Sequence, residues 1–461
     1  MDTPDLEEAK AKYIHNMIKF LIYSITLILT ANVNYAGHGA YVIADNATAL
    51  PISLVNASST CVNNVEALAT NLGAVRAAKI YLETNDSGLC FFNRSIGTIN
   101  LVYENIILGS ISYVISAYGT EATVVANFRS DLFDLKAYSK NTFDRTKDQD
   151  LIVIKMLPKE ASATKYSSWM HEVKNHIINQ QLAKIILPGT HDSFSYDLSD
   201  ILCTNNQLAI YNIPNYVMGF AKAQNLSFIA QLERGIRYFD VRLCYQKNIN
   251  DEEAHDYTVH DLLSKANFFI YLQPLAQFLH DHPQEIIILD INHTYGYNEL
   301  SFKNLLDKLK ELYANNILSY QEANPTTTIA SIWNLKKNLI IILPEMFNSL
   351  HNDPNYAFAW PSTAINSPWP NTTNENELLT YAKNELNNHD QTTLFVSQLQ
   401  LTPDSNFIIN NLATDLNYLA DLYLTNTYNW LWENKNSGKL NIYIRDFSDG
   451  YDGAIFAQQN N

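Results

Sequence analysis

The sequence predicts an α/β protein: an irregular (β/α) TIM-type barrel preceded by a smaller β-rich, sandwich-like N-terminal domain. Three observations carry this reading. From residue 181 onward, short apolar runs alternate with stretches of helical periodicity, as expected when each parallel strand is followed by a covering helix. Before residue 158 the apolar runs recur without helices between them and are separated by Gly, Asn, Asp and Ser, the pattern of packed antiparallel sheets. At 461 residues the chain also exceeds one ordinary domain. The expected division is a targeting segment at 1–36, a β-rich accessory domain at 37–157 and the barrel at 158–461.

Taken in order, residues 20–31 form an apolar core preceded by Lys19 and followed by small and polar residues through Ala36. This core is shorter than the roughly 20 residues a spanning helix needs and fits a secretory signal peptide. Asp2, Asp5, Glu7 and Glu8 make the stretch ahead of it acidic, and a start at Met17 removes them, with cleavage near Ala36–Gly37. A secreted or exported protein is expected; retained, the same segment would anchor the chain at a membrane. The four cysteines agree with export. Cys61 with Cys90 and Cys203 with Cys244, one disulfide per domain, is the simplest pairing, and no CxxC spacing suggests zinc or redox chemistry.

Within the β-rich region, candidate strands are Ala40–Ala44, Ile52–Asn56, Ala78–Glu83, Ile99–Glu104, Ser110–Tyr118, Ala122–Phe128 and Leu151–Leu157. Tyr138–Asp150, charged and polar, reads as an exposed loop. Tyr166–Gln181 reads as a linker and a leading helix. In the barrel, candidate strands are Lys184–Leu187, Tyr238–Leu243, Glu285–Asn292, Leu339–Leu343, Thr393–Ser397 and Leu440–Arg445. Helical periodicity marks Leu263–Asp281, Glu299–Asn315, Glu375–Asn388 and Tyr418–Asn434.

The 31 basic against 47 acidic residues give a net charge of −16, which argues against nucleic acid and against broad attachment to anionic lipid. Membrane contact would fall to local aromatic side chains, of which 28 Tyr and 6 Trp supply candidates.

The chemistry gathers at strand ends. Leu187-Pro188-Gly189-Thr190-His191-Asp192-Ser193 follows an apolar run and presents adjacent titratable groups where a barrel displays its active site. Taken alone, His191 and Asp192 would more often be a turn and a helix cap. In Tyr238–Leu243, Asp240 and Arg242 share one face of a strand. They form either a structural ion pair or a phosphate-holding arginine with its partner. Thr258-Val259-His260-Asp261 ends a further apolar approach in a histidine, and Ile444-Arg445-Asp446 ends the last strand in a carboxylate. A base, an acid and a cation at the phosphoryl oxygens are what phosphodiester cleavage needs.

These motifs resemble the phosphatidylinositol-specific phospholipase C X-domain family: LPGTHDS at 187–193, QLERGIRYFDVRL at 231–243, TVHD at 258–261 and HPQEIIILDINH at 282–293. SPWPNTT at 367–373, FVSQLQLTP at 395–403 and IRDF at 444–447 extend the resemblance over roughly residues 165–455, closest to the X-domain-only proteins. It implies that His191 is the general base toward the inositol 2-hydroxyl and that His260 is the acid at the departing diacylglycerol oxygen. Asp446 would orient His191, Asp192 would orient His260, and Arg242 would neutralise the phosphoryl charge. Arg242 stands where the calcium-dependent branch places its metal, so no cofactor is expected and Ca²⁺ is disfavoured. Asn292 takes the place of an inositol-contacting lysine of the bacterial branch. It and Asp240 are expected near the substrate, with headgroup recognition altered.

The expected function is a secreted phosphodiesterase acting on phosphatidylinositol or a glycosylated derivative at a membrane interface. Alternatives are a metal-dependent glycerophosphodiesterase or sphingomyelin-directed lipase on the same scaffold, or a non-catalytic lipid or glycan binder. A glycan or other surface ligand is a candidate partner of the N-terminal domain.

Overall fold

The computed structural model describes residues 39–448 apart from 86–89, 91–93, 117–118, 126–130, 143–149, 160–163, 205–214, 248–252 and 412–413. The apolar segment 20–31 and the cleavage position expected near Ala36 lie outside the described residues. The fold is mixed α/β.

Its first part consists of strands β1 (Gly39–Asn46), β2 (Ile52–Thr60), β3 (Val62–Asn63), β4 (Thr70–Leu72), β5 (Arg76–Thr84), β6 (Ser95–Tyr103), β7 (Ile106–Ser116), β8 (Gly119–Val124), β9 (Phe133–Lys140) and β10 (Asp150–Pro158). Among the described residues they form two five-stranded sheets, β3-β5-β1-β10-β9 and β4-β2-β6-β7-β8. The second sheet follows simple alternation: Ile111, Tyr113 and Ile115 of β7 are buried, while Ser110 and Ser112 are half-buried on the other face. Its apolar face meets Val42 and Ala44 of β1 and Ile152 and Ile154 of β10 in one core. The reverse face of β1 and β10 is covered as well. Ile43, Leu151 and Val153 join Tyr418, Leu424 and Trp430 in the core of the C-terminal part. Burial on both faces accounts for the run Leu151–Ile154 in β10, which is apolar at successive rather than alternate positions, and β10 pairs in parallel with β1.

The polar stretch expected as an exposed loop from Tyr138 is strand through Lys140. Tyr138 Oη donates to Asp421 at 2.8 Å, and Lys140 and Lys155 Nζ lie 3.1 and 3.3 Å from the same carboxylate. Asp421 is 1% exposed. Polarity that looked like solvent exposure is in fact a buried ionic contact with the C-terminal part.

That part contains β11 (Leu187–Thr190), β12 (Leu198–Leu202), β13 (Tyr238–Lys247), β14 (Ala254–His260), β15 (Leu262–Asn267), β16 (Ile287–Tyr295), β17 (Leu339–Ile342), β18 (Ile365–Asn366), β19 (Leu394–Gln398) and β20 (Ile442–Arg445). Seven of them run parallel in the order β18-β19-β20-β11-β13-β16-β17. Trp360 extends the parallel pairing beyond β17, donating to the Ile341 carbonyl at 2.7 Å and accepting from Leu343 N–H at 2.9 Å. The far end of β13 runs on into an antiparallel layer with β14, β15 and β12.

Helices Glu299–Tyr313 and Glu375–Asn388 agree with their periodicity and are capped by the side chains of Asn298 and Asn374. The helix expected over Leu263–Asp281 instead begins as strand β15. The Asn267 side chain then accepts from Phe269 N–H to start the helix Phe268–Leu272, and a second helix, Leu275–Asp281, follows Pro274. Tyr418–Asn434 divides at Tyr423 into Leu416–Leu422 and Leu424–Asn434. Both expected disulfides are formed, Cys61–Cys90 and Cys203–Cys244.

Two sequence features position the site. A Cβ at Gly189 would fall 2.8 Å from Tyr238 and Ile444, so only glycine lets β11 pass between β13 and β20. At the opposite end of β13, fully buried Arg237 binds Glu285 at 2.8 Å and donates to the carbonyls of Tyr166 and Ser167. This pair joins the leading segment to the starts of β13 and β16.

Candidate active site

His191 follows β11, Asp240 and Arg242 lie on β13, His260 ends β14 and Asp446 follows β20. The chain turns sharply after β11, with Asp192 in the left-handed region at φ 42°. Such a conformation costs a non-glycine residue on the order of 1–2 kcal/mol, and local hydrogen bonds hold it. Asp192 N–H donates to Asp240 Oδ2 and Ser193 N–H to the Asp240 carbonyl, each at 3.0 Å. Buried Gln231 donates to the Ser193 carbonyl at 2.8 Å and accepts from Thr190 Oγ1 at 2.7 Å. Buried Gln224 donates to the carbonyls of His191 at 2.7 Å and Arg445 at 3.1 Å, tying the ends of β11 and β20 together.

His191 Nδ1 lies 2.7 Å from Asp446 Oδ1, so this nitrogen carries the hydrogen and Nε2 is the basic atom of the neutral ring. Nε2 lies 2.9 Å from Arg242 Nη2 and 3.1 Å from Asp192 Oδ2. The same Asp192 oxygen lies 3.2 Å from His260 Nε2, and the two imidazole centroids are 5.8 Å apart. His260 Nδ1 is fixed by the Ala221 carbonyl at 2.6 Å, which turns its Nε2 toward His191. The structure corrects one expectation here: Asp192 does not serve His260 alone. The left-handed turn places its carboxylate between both rings.

Arg242 completes the cluster, with Nε 2.8 Å from Asp192 Oδ1 and Nη2 3.2 Å from Asp240 Oδ2. Burial opposes charge on His191, but the carboxylates of Asp192 and Asp446 outweigh it and hold its pKa above the ordinary value. Burial likewise works against the Asp240 carboxylate, yet Arg242 and His191 keep its pKa at about 2. Beneath it, burial pushes Asp290 up to about 7, while Tyr238 Oη donates to it at 2.5 Å.

Asp240 and Asn292, expected near the substrate, are turned to the protein instead. Asp240 is 1% exposed and holds Asp192 N–H, Arg242 and Asn292 Nδ2, the last at 2.5 Å. The β13–β16 register shifts between Val241/Ile291 and Arg242/His293, which makes Asn292 the unpaired residue of a bulge and aims it at Asp240. The geometry gives both the task of fixing Arg242.

His191, Arg242 and His260 open onto a cavity of about 370 Å³. Its lining also includes the polar Asp261 and Tyr295 and the apolar Phe220, Trp369, Leu401, Ile408 and Leu416.

Comparison with known proteins follows the same lines. The family model of the phosphatidylinositol-specific phospholipase C X domain matches residues 204–343. PI-PLC X domain-containing protein 2 of Mus musculus is 32% identical over 307 residues, covering 64% of this chain and 88% of the relative. The chain belongs to the phosphatidylinositol-specific phospholipase C X-domain family. PI-PLC X domain-containing protein 3 of the same species is 26% identical over 300 residues, covering 61% of this chain and 89% of that protein. Among solved structures, the phosphatidylinositol-specific phospholipase C of Listeria monocytogenes covers 64% of this chain and 99% of its own, at 18% identity and a TM-score of 0.47.

The matched X-domain span begins after His191 and Asp192 and ends before Asp446. Pairing of β11 with β13 and β20 brings these residues into the cluster. Among the described residues, one group has donor atoms close enough for a metal ion, His191, Asp192 and Asp240, within 4.8 Å of one another. All three already face the Arg242 guanidinium, so a cation there would have to displace it. The donor set does not fit a resident metal.

Gln224, Gln231 and Tyr295 of this X-domain chain were not singled out as site residues from sequence. Tyr295 had a signal, lying two positions beyond the DINH motif on the same strand. Gln224 had none, because a lone glutamine in a loop does not reveal that it is buried.

Proposed function

We propose that this X-domain protein is a secreted, metal-independent phosphodiesterase that cleaves phosphatidylinositol or a glycosylated derivative at a membrane surface. Residues 158–461 are taken as an irregular (β/α) barrel, with 37–157 as a sandwich-like accessory domain packed against it. The observation that carries the reading is the placement of His191 Nε2 and His260 Nε2 on either side of one Asp192 oxygen, at 3.1 and 3.2 Å, with Arg242 beside them. Two nitrogens able to take and give a proton flank a cationic phosphate position, as in-line transfer between two oxygens requires.

In this mechanism His191 Nε2 takes the proton of the inositol 2-hydroxyl while that oxygen bonds to phosphorus. The bond from phosphorus to the glycerol oxygen breaks, and His260 Nε2–H protonates the departing oxygen. Diacylglycerol and a 1,2-cyclic inositol phosphate result. Asp446 stabilises the imidazolium formed at His191, and Arg242 balances charge on the phosphoryl oxygens. Its contacts with Asp192, Asp240 and His191 support metal independence, because the guanidinium occupies the position a cation would take. The apolar residues lining the cavity are assigned to the lipid end.

The test is release of water-soluble inositol phosphate from radiolabelled phosphatidylinositol vesicles in excess chelator. Turnover by the wild type, lost in His191→Ala and in His260→Ala, is expected. Turnover that survives either substitution overturns the assignment of base and acid.

A further inference from the structure

A second cavity, about 560 Å³, lies where β5 meets the helices Ser405–Asn410 and Leu416–Leu422 and the start of helix Glu375–Asn388. The segment from Leu401 to Asn411 separates it from the catalytic cavity. Leu401 lines both, Ile408 faces the catalytic side, and Phe407 and Asn410 face this one. Its walls combine the aromatic side chains of Phe407, Tyr418 and Tyr423 with the amides of Asn406 and Asn410, which are exposed at its rim. Glu375 and Lys79 also line it. Oε1 of Glu375 is buried and has no hydrogen-bond partner among the described residues, while the carboxyl takes a side-chain hydrogen bond from Asn426; an unmet buried acceptor costs about 1–3 kcal/mol until a donor arrives. Burial pushes the Glu375 carboxyl up and the Lys79 ammonium down, so both groups sit partly stripped of water.

Aromatic rings beside planar amides and a carboxylate with one unpaired oxygen suit a pyranose. Its C–H face packs on a ring, and its adjacent hydroxyls meet fixed acceptors and donors. A purely apolar ligand would leave Glu375 Oε1 without a donor. We infer that this junction cavity holds a hexose or hexosamine unit, the sugar arm of a glycosylated substrate whose phosphoinositol lies across Leu401 in the catalytic cavity. The inference rests on the proposed function for its link to substrate, but not for the sugar site itself.

The experiment is direct binding of two probes, glucosamine and methyl α-mannoside, to the full chain by saturation-transfer NMR with titration. At least one probe is expected to bind. Affinity should fall about tenfold or more, roughly 1.4 kcal/mol, in Glu375→Gln and in Phe407→Ala, and should be retained in Arg242→Met. Should Phe407→Ala not fold, Asn410→Ala at the exposed rim takes its place. Failure of both probes to bind overturns the inference, as does wild-type affinity in the cavity variants. Loss of binding in Arg242→Met also overturns it, because the sugar would then occupy the catalytic cavity. Sugar binding without lipid turnover sinks the proposed function alone; turnover without sugar binding sinks this site alone.

Discussion

Replacing Arg242 by methionine keeps a side chain of similar length and removes every polar contact of the guanidinium. Three groups lose a partner: Asp192 at 2.8 Å, His191 Nε2 at 2.9 Å and Asp240 at 3.2 Å. Asp192 and Asp240 are 2% and 1% exposed, and stripping a buried carboxylate of its cation costs about 3–5 kcal/mol. The Arg242 side chain is itself 20% exposed, so water can follow it in, and the lower figure, about 3 kcal/mol, is expected in urea unfolding. The catalytic loss is separate. One preorganised donor aimed at a charged transition state is worth about 10²–10³ in rate. Arg242→Lys restores the charge without the fork that reaches three groups at once, and should recover part of the stability but little of the rate. Lipid turnover and urea denaturation measured on the same preparations decide the matter. Turnover within about threefold of wild type in folded Arg242→Met would refute the phosphate-facing role, whatever the stability.

Other substitutions probe the same framework. Asp446→Asn removes one of the two carboxylates that raise the His191 pKa. The acid limb of the kcat/KM profile should therefore move to lower pH, with turnover reduced roughly 10²–10⁴-fold as the base loses its orienting charge. Because the folded His191 pKa lies above its unfolded value, its stabilising contribution is complete below the unfolded value. It fades as pH rises through the folded one, so thermal scans across this range should flatten in Asp446→Asn. Asp290, at about 7 in the fold, binds a proton that the unfolded chain releases above its ordinary carboxylate pKa. Stability should fall as pH rises toward 7, and Asp290→Asn should recover up to about 4 kcal/mol at pH 8, at 1.36 kcal/mol per unit. Replacing Cys203 and Cys244 by serine opens a loop with a sequence separation of 41 and should cost about 4 kcal/mol by loop-closure entropy, measurable by calorimetry.

Strand–helix alternation located β13, β16, β17, β19 and β20 because each is a short apolar run, whereas β11 begins at Leu187, where the expected strand Lys184–Leu187 ends, and the two-residue β18 went unnoticed; the motifs named the residues of the charged cluster. What escaped has identifiable causes. β12, β14 and β15 lie in the antiparallel layer beyond β13, where Leu263 and Ser264 are buried in a strand whose apolar spacing also suits a helix. Tyr138 and Lys140 looked solvent-exposed because a buried partner, Asp421, lies far away in sequence. The dual position of Asp192 and the inward turn of Asn292 come from a left-handed residue and a bulge. Neither leaves a compositional mark, since any short polar side chain could occupy those positions.

In the proposed mechanism His191 and His260 carry out an intramolecular transfer on an inositol phosphodiester. Phosphorus NMR of the products formed from phosphatidylinositol in excess chelator tests it most directly. A 1,2-cyclic inositol phosphate is expected as the first product, absent with His191→Ala. An acyclic inositol monophosphate appearing first, or a requirement for added divalent cation, would contradict it.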